Sequence, residues 1–169
     1  MADTSSPVFL VDPYSDPVVV RIEGRACFQN SGCLRDFIHE MLQRGKARFV
    51  LDFQHCAGMD STFLGVLAGA ALEMRKVAPT GSLVVARPGQ RNLELIRNLG
   101  LHRLLTVDAV ETAPATDNCR TALECKARTE IETARLVLEA HENLVAVEPT
   151  NRSKFQDVLT FLRNRVEQK

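Results

Sequence analysis

Residues able to do chemistry are few in this chain, and the most suggestive stand together at Asp60-Ser61-Thr62. A hydroxyl pair preceded by a carboxylate follows an apolar strand candidate, Arg48 to Phe53, and opens an apolar helix. At such a turn a hydroxyl has two uses. It caps the helix by accepting backbone N–H bonds, or it receives a modifying group whose charge alters a binding surface. Hydrolysis at Ser61 would also require a base and an oxyanion hole. The context is not G-x-S-x-G, and the nearest preceding histidine, His55, lies in a strand-end loop without an orienting partner. His39, His102 and His141 are isolated in sequence and read as surface or boundary residues. Asp36 and Glu40, four apart on one helix, read as a solvated face. No catalytic residue is assigned.

Other chemistries are excluded more simply. Neither G-x-x-x-x-G-K nor G-x-G-x-x-G occurs, so no phosphate cradle and no cofactor is implied. The 169 residues carry 21 Lys+Arg and 21 Asp+Glu, without the basic footprint of a nonspecific nucleic-acid binder. Tryptophan is absent and tyrosine occurs once, which leaves no base-stacking platform. No apolar run approaches the roughly 18 residues that span a bilayer, and the N-terminus lacks the pattern of a secretory signal. Five cysteines, none in C-x-x-C, are expected to be reduced thiols with neither disulfide framework nor metal site, in a cytoplasmic protein.

Several elements must position the Ser61 turn. Val8 to Val11, between Pro7 and Pro13, reads as an edge strand, and Val18 to Glu23 alternates as a half-buried one. Leu34, Phe37, Ile38, Met41 and Leu42 follow the helical period after Asn30 or Ser31 as cap, and Gly45 stops the helix. Phe49-Val50-Leu51 reads as a strand buried on both faces. The helix opened by Ser61 runs to about Val77, and Leu83 to Ala86 is another apolar strand. A short helix from Asn92 to Leu99 ends at Gly100, Leu104 to Val107 is a last strand, and Asp108 to Glu111 has capping-box spacing for a closing helix. Such alternation implies an α/β fold with a mixed, mostly parallel sheet and helices packed on it, over residues 7–115.

Composition changes at Ala113 to Asp117, and residues 116–169 form a two-helix extension. Leu123, Ala127, Ile131, Ala134, Leu138 and Val145 mark its first helix. Asn151 caps a second, with Phe155, Val158, Leu159, Leu162 and Val166 on one stripe. This hairpin cannot bury both stripes alone, so it is expected to pack on the α/β body or on another chain. The helix after Ser61 has an apolar arc of about 200°, twice what packing on a sheet needs. Phe63, Val66, Ala70 and Val77 are the extra stripe, expected to be covered by the hairpin or exposed for docking.

The segment from Val18 to Asp108 resembles a STAS domain. The matching pieces are Val20-Arg21-Ile22-Glu23-Gly24, Val50-Leu51-Asp52-Phe53, Met59-Asp60-Ser61-Thr62 with Leu64-Gly65-Val66-Leu67, and Asn98-Leu99-Gly100-Leu101. The resemblance implies a STAS-like sheet and a non-enzymatic bacterial signalling module of the anti-sigma-factor-antagonist type, acting in transcription regulation. It makes Ser61 the phosphoacceptor of an anti-sigma kinase, with Thr62 as second choice. Asp60, Ser61, Thr62, Phe63, Val66 and Ala70 are then expected to bind that protein partner. Where the family usually has glycine this chain has Phe63, whose ring is expected to narrow access to the acceptor or to supply a docking contact. The rival readings are a STAS scaffold, oligomerising through the C-terminal helices or accessory to a transporter, and a small-ligand sensor.

Overall fold

A computed structural model describes residues 8–77, 81–108 and 118–168. In chain order the elements are β1 (Phe9–Asp12), β2 (Val18–Ala26), α1 (Ser31–Gln43), β3 (Arg48–Met59), α2 (Ser61–Val77), β4 (Ser82–Ala86), α3 (Gln90–Asn98), β5 (Thr106–Asp108), β6 (Thr121–Ala122), α4 (Glu130–Val147) and α5 (Asn151–Glu167). A 3-10 turn at Leu101–Arg103 follows α3. The sheet order is β5-β4-β3-β2-β1-β6. Strands β2 to β5 are parallel, whereas β1 runs antiparallel to both β2 and β6. This is the mixed, mostly parallel sheet with two C-terminal helices expected from the sequence.

Three crossovers, through α1, α2 and α3, step along the sheet in one direction. Right-handed connections therefore lay all three helices on one face. Alternation decides what they bury. Phe9, Val11, Val18, Val20, Ile22, Phe49, Leu51, Phe53, Leu83 and Val85 meet α1 and α2 in one core.

Two strand expectations are corrected. Val50 points to the opposite face and is only half-buried, so β3 is not enclosed on both sides there. β1 is not an edge, because Leu10 and Val11 pair with Ala122 and Thr121 of β6. Two exposed residues carry no hydrophobic alternation, and so β6 was invisible in the sequence.

The first C-terminal helix begins later than its apolar spacing suggests, at Glu130, and Leu123 and Ala127 precede it. Thr129 sets the start. Its hydroxyl accepts from Glu132 N, and Glu132 accepts from Thr129 N, a capping box that was legible as Thr-x-x-Glu. These bonds from Thr129 hold the Glu132 carboxyl below the usual carboxylate range.

The buried face of α4 is Ala134, Leu136, Ala140, His141 and Leu144. Ile131, Leu138 and Val145 of the expected stripe are only half-buried. In α5, Thr150 rather than Asn151 is the N-cap. Asn151 is buried and donates from Nδ2 to the carbonyls of Leu99 and Leu144. Val158 lies on the open side of α5 with Phe161. The proposed closing helix at Asp108 to Glu111 and the linker at Ala113 to Asp117 extend outside the described residues.

The cysteine expectation is corrected too. Cys33 of α1 and Cys125 of the segment leading to α4 are disulfide-bonded, across 92 residues of sequence. Cys27, Cys56 and Cys119 are free. An odd count without C-x-x-C could not reveal this pair, since a single long-range cross-link has no spacing signature. Among the described residues no helix is long and apolar enough to cross a membrane.

Candidate functional site

Strand β3 ends at Met59, and the chain turns at Asp60 into α2. Asp60 is the cap of that helix. Its Oδ1 accepts from Phe63 N at 2.9 Å, its carbonyl accepts from Leu64 N, and Oδ2 accepts from Phe28 N at 2.8 Å. The same carboxylate thus satisfies an orphan donor of α2 and pins the loop between β2 and α1. Replacing Asp60 with Ala is expected to cost about 1–2 kcal/mol of unfolding free energy. Urea denaturation would measure it, and no loss would refute the capping role.

Because Asp60 holds the cap, the Ser61 hydroxyl is free for another partner. Ser61 Oγ lies 2.9 Å from Nε2 of His141 on α4. The Nδ1 of His141 is 2.7 Å from the Val137 carbonyl, which only accepts, so Nδ1 carries a proton. In the neutral ring Nε2 therefore accepts from the Ser61 hydroxyl. His141 is 4% exposed, and its ring stands edge-on to Phe155 of α5 at 4.8 Å. The sequence reading placed His141 at a surface or boundary; tertiary packing buries it against Ser61, 80 residues away. No local motif signals that pairing.

Beside this bond is a cleft of about 570 Å³, lined by Met59, Asp60, Ser61, Leu64, Leu95, Leu99 and Phe155, with Asn98 and Lys154 at its polar side. Lys154 donates to the Asn98 carbonyl at 2.6 Å, tying α5 to the end of α3. The site thus joins the first turn of α2, the end of α3 and both C-terminal helices.

The remaining expected partner residues are distributed differently. Phe63 is 0% exposed, stacked on Phe9 with centroids 6.1 Å apart and edge-on to Phe53 at 6.2 Å. Its ring points into the core, so it neither shields Ser61 nor offers a docking contact. Ala70 also belongs to the main core, and Thr62 is buried. Val66 is covered by Leu136 and Ala140 of α4, with which it forms a separate apolar cluster. Of the alternatives for the wide apolar arc, cover by the hairpin is the one observed for Val66. Asp60 and Ser61 alone of the six are half-buried.

Two glycines let α4 come this close. A Cβ at Gly65 would collide with the backbone carbonyl of Ala140, and one at Gly69 with the Asn143 amide. Asn143 Nδ2 in turn donates to the Gly65 carbonyl at 3.3 Å. Burial pushes the Cys56 thiol above its ordinary value, as it does Cys119.

Comparison with known proteins gives a consistent frame. Residues 10–106 match the family model described as "Mlab, STAS domain". No curated protein matches in sequence. Among solved structures, the anti-sigma factor antagonist SpoIIAA in its unphosphorylated form is similar, with a TM-score of 0.53 and 20% identity, covering 61% of this chain and 89% of that one. The Bacillus cell fate determinant SpoIIAA in its phosphorylated form gives a TM-score of 0.50 at 21% identity, over 61% of this chain and 92% of its own. A candidate anti-sigma factor antagonist of Thermotoga maritima gives 0.51 at 17% identity, over 59% and 84%. At these identities the structural likeness concerns the fold, and α4 and α5 follow the segment that the family model matches.

Proposed function

This chain belongs to the STAS domain family, and we propose that it is a regulatory protein-binding module of the anti-sigma-factor-antagonist type, switched by phosphorylation of Ser61. The observation that carries this reading is the division of labour at the turn: Asp60 caps α2, so Ser61 is not spent on the helix. A phosphate there would meet the positive end of the α2 dipole and the free N–H groups of its first turn. Lys154 lines the same cleft. The fold therefore has no electrostatic reason to break when the charge arrives. A protein partner seated beside Ser61 would instead meet a new charge of about −2, which an apolar contact tolerates poorly. The kinase-like partner and a cytoplasmic setting belong to this same reading.

The test is phosphorylation itself. The full chain, incubated with ATP and a bacterial lysate, is expected to gain one phosphate on the peptide containing Ser61, read by mass spectrometry. Ser61→Ala should abolish it, and Ser61→Asp should keep the fold while losing the partner. A phosphate that persists in Ser61→Ala, or none in wild type, would refute the proposal.

One observation favours a second reading. The hydroxyl of Ser61 is already engaged by His141, which suits a static scaffold in which Ser61 simply fastens the hairpin to the body. Under that reading Ser61→Asp leaves every partner bound, and Ser61 never acquires phosphate.

A further inference from the structure

The hydrogen bond between Ser61 and His141 depends on a proton that phosphorylation removes. Ser61 Oγ donates to Nε2 at 2.9 Å, and Nδ1 donates to the Val137 carbonyl at 2.7 Å. A phosphate ester on Oγ has no hydroxyl proton to give, and above about pH 6 its outer oxygens are ionised acceptors. A neutral ring would then turn the buried lone pair of Nε2 toward them. Moving the ring proton to Nε2 would instead set the Nδ1 lone pair against the Val137 carbonyl. Only the imidazolium, with a proton on each nitrogen, satisfies both partners. From this bond inventory we infer that phosphorylation of Ser61 is coupled to protonation of His141, which becomes the phosphate's counterion within the chain. The inference rests on the reading of Ser61 as phosphoacceptor and deepens it.

The surroundings favour that charge. A phosphate within hydrogen-bond reach of the ring offsets the cost of charging it in a buried site. Among the described residues lining the adjoining cleft two are charged, Asp60 and Lys154. Asp60 spends its carboxylate oxygens on Phe63 N and Phe28 N, so it does not compete for the ring, and its charge acts in the same direction as the phosphate's. Lys154 of α5 stands in the cleft as a second cation for the phosphate oxygens. On α4 itself the neighbouring Glu142 is half-exposed and paired with Arg163. The Phe155 ring, edge-on at 4.8 Å, brings no charge from α5.

The proton balance closes within the pair. Ser61 Oγ attacks the terminal phosphorus of a nucleoside triphosphate, and the bond to the diphosphate breaks, its electron pair leaving with that group. The hydroxyl proton passes to Nε2, toward which it already points. The site then changes by a net charge of about −1, in place of the −2 of the phosphate alone. Both cations, His141 and Lys154, belong to the hairpin of α4 and α5. The phosphate therefore adds a tie between that hairpin and the head of α2, and modification is expected to hold the hairpin to the body.

Phosphoserine built into position 61 during translation tests this in the full chain, without a kinase. Nitrogen NMR of the histidine rings, in chains carrying serine or phosphoserine, reads the charge on His141. The pH at which the ring loses half of its second proton is expected to be about one unit higher with phosphoserine, a tenfold gain in proton affinity. Phosphorus NMR should show the phosphate's second ionisation moved below its ordinary value of about 6. In His141→Gln most of that phosphorus shift should disappear, while Lys154→Met should remove a smaller share. A ring that titrates alike in both chains, or a phosphorus titration unmoved by His141→Gln, would overturn the inference. The ring measurement needs no variant at position 141, so it decides even where His141→Gln does not fold. An unshifted ring leaves phosphorylation of Ser61 to its own assay. A lysate that never modifies Ser61 removes the switch, while the coupling is still measured directly.

Discussion

Phe63→Ala is expected to lower the unfolding free energy by about 3–5 kcal/mol. The side chain is fully enclosed between Phe9 of β1 and Phe53 of β3, so truncation removes buried area and leaves a cavity that rigid strands cannot close. Phe63→Gly should cost about 1 kcal/mol more through loss of helix propensity. Equilibrium urea unfolding measures both, with an unchanged m-value marking a change in stability alone. The result bears on function as well as on the core. If Phe63 were a docking residue its removal would leave stability almost intact and weaken a complex. A loss below about 1 kcal/mol would mean that the ring is not packed as described.

Arg87→Ala is the second large effect, about 3–5 kcal/mol. Asp52 of β3 is 1% exposed and is held by Arg87 in a two-point contact, Nε to Oδ1 at 3.1 Å and Nη2 to Oδ2 at 2.6 Å. Truncating the arginine leaves a buried carboxylate with one backbone donor, Gln54 N. Arg87 also sits at φ 52°, in the left-handed region that side chains other than glycine occupy at a cost of about 1–2 kcal/mol. Arg87→Gly loses the same ion pair but relieves that strain, so it should be roughly 1 kcal/mol more stable than Arg87→Ala. A double variant, Asp52→Leu with Arg87→Met, should recover most of the loss, because the cost comes from an unpaired charge and not from the pair's absence. Thermal and urea denaturation of the four proteins would decide. Equal stability of Arg87→Ala and wild type would remove the pair from the account.

Much of the α/β body could be read from local pattern because its physics is local. Alternation places Val18, Val20 and Ile22 on one face of β2, and the helical period places Leu34, Phe37, Ile38 and Met41 on the inner face of α1. The Asp60-Ser61 turn was legible for the same reason, since a cap and its helix lie within four residues. Even the start of α4 was written in Thr129 and Glu132, although apolar spacing from Leu123 to Ala127 pointed to an earlier start.

Contacts between distant segments carry no such periodic mark. The bond from Ser61 to His141 spans 80 residues, and the disulfide from Cys33 to Cys125 spans 92. Nor do Gly65 and Gly69 announce themselves, because a missing side chain gives no hydrophobic signal, yet their flat surface sets how closely α4 approaches. Local alternation and capping were therefore enough to specify the sheet, the helices on it and the exposed-looking hydroxyl at the head of α2. Whether that hydroxyl faces solvent or a histidine depended on where a helix 80 residues downstream comes to rest, and that is a matter of close packing between surfaces that no stretch of the chain contains alone.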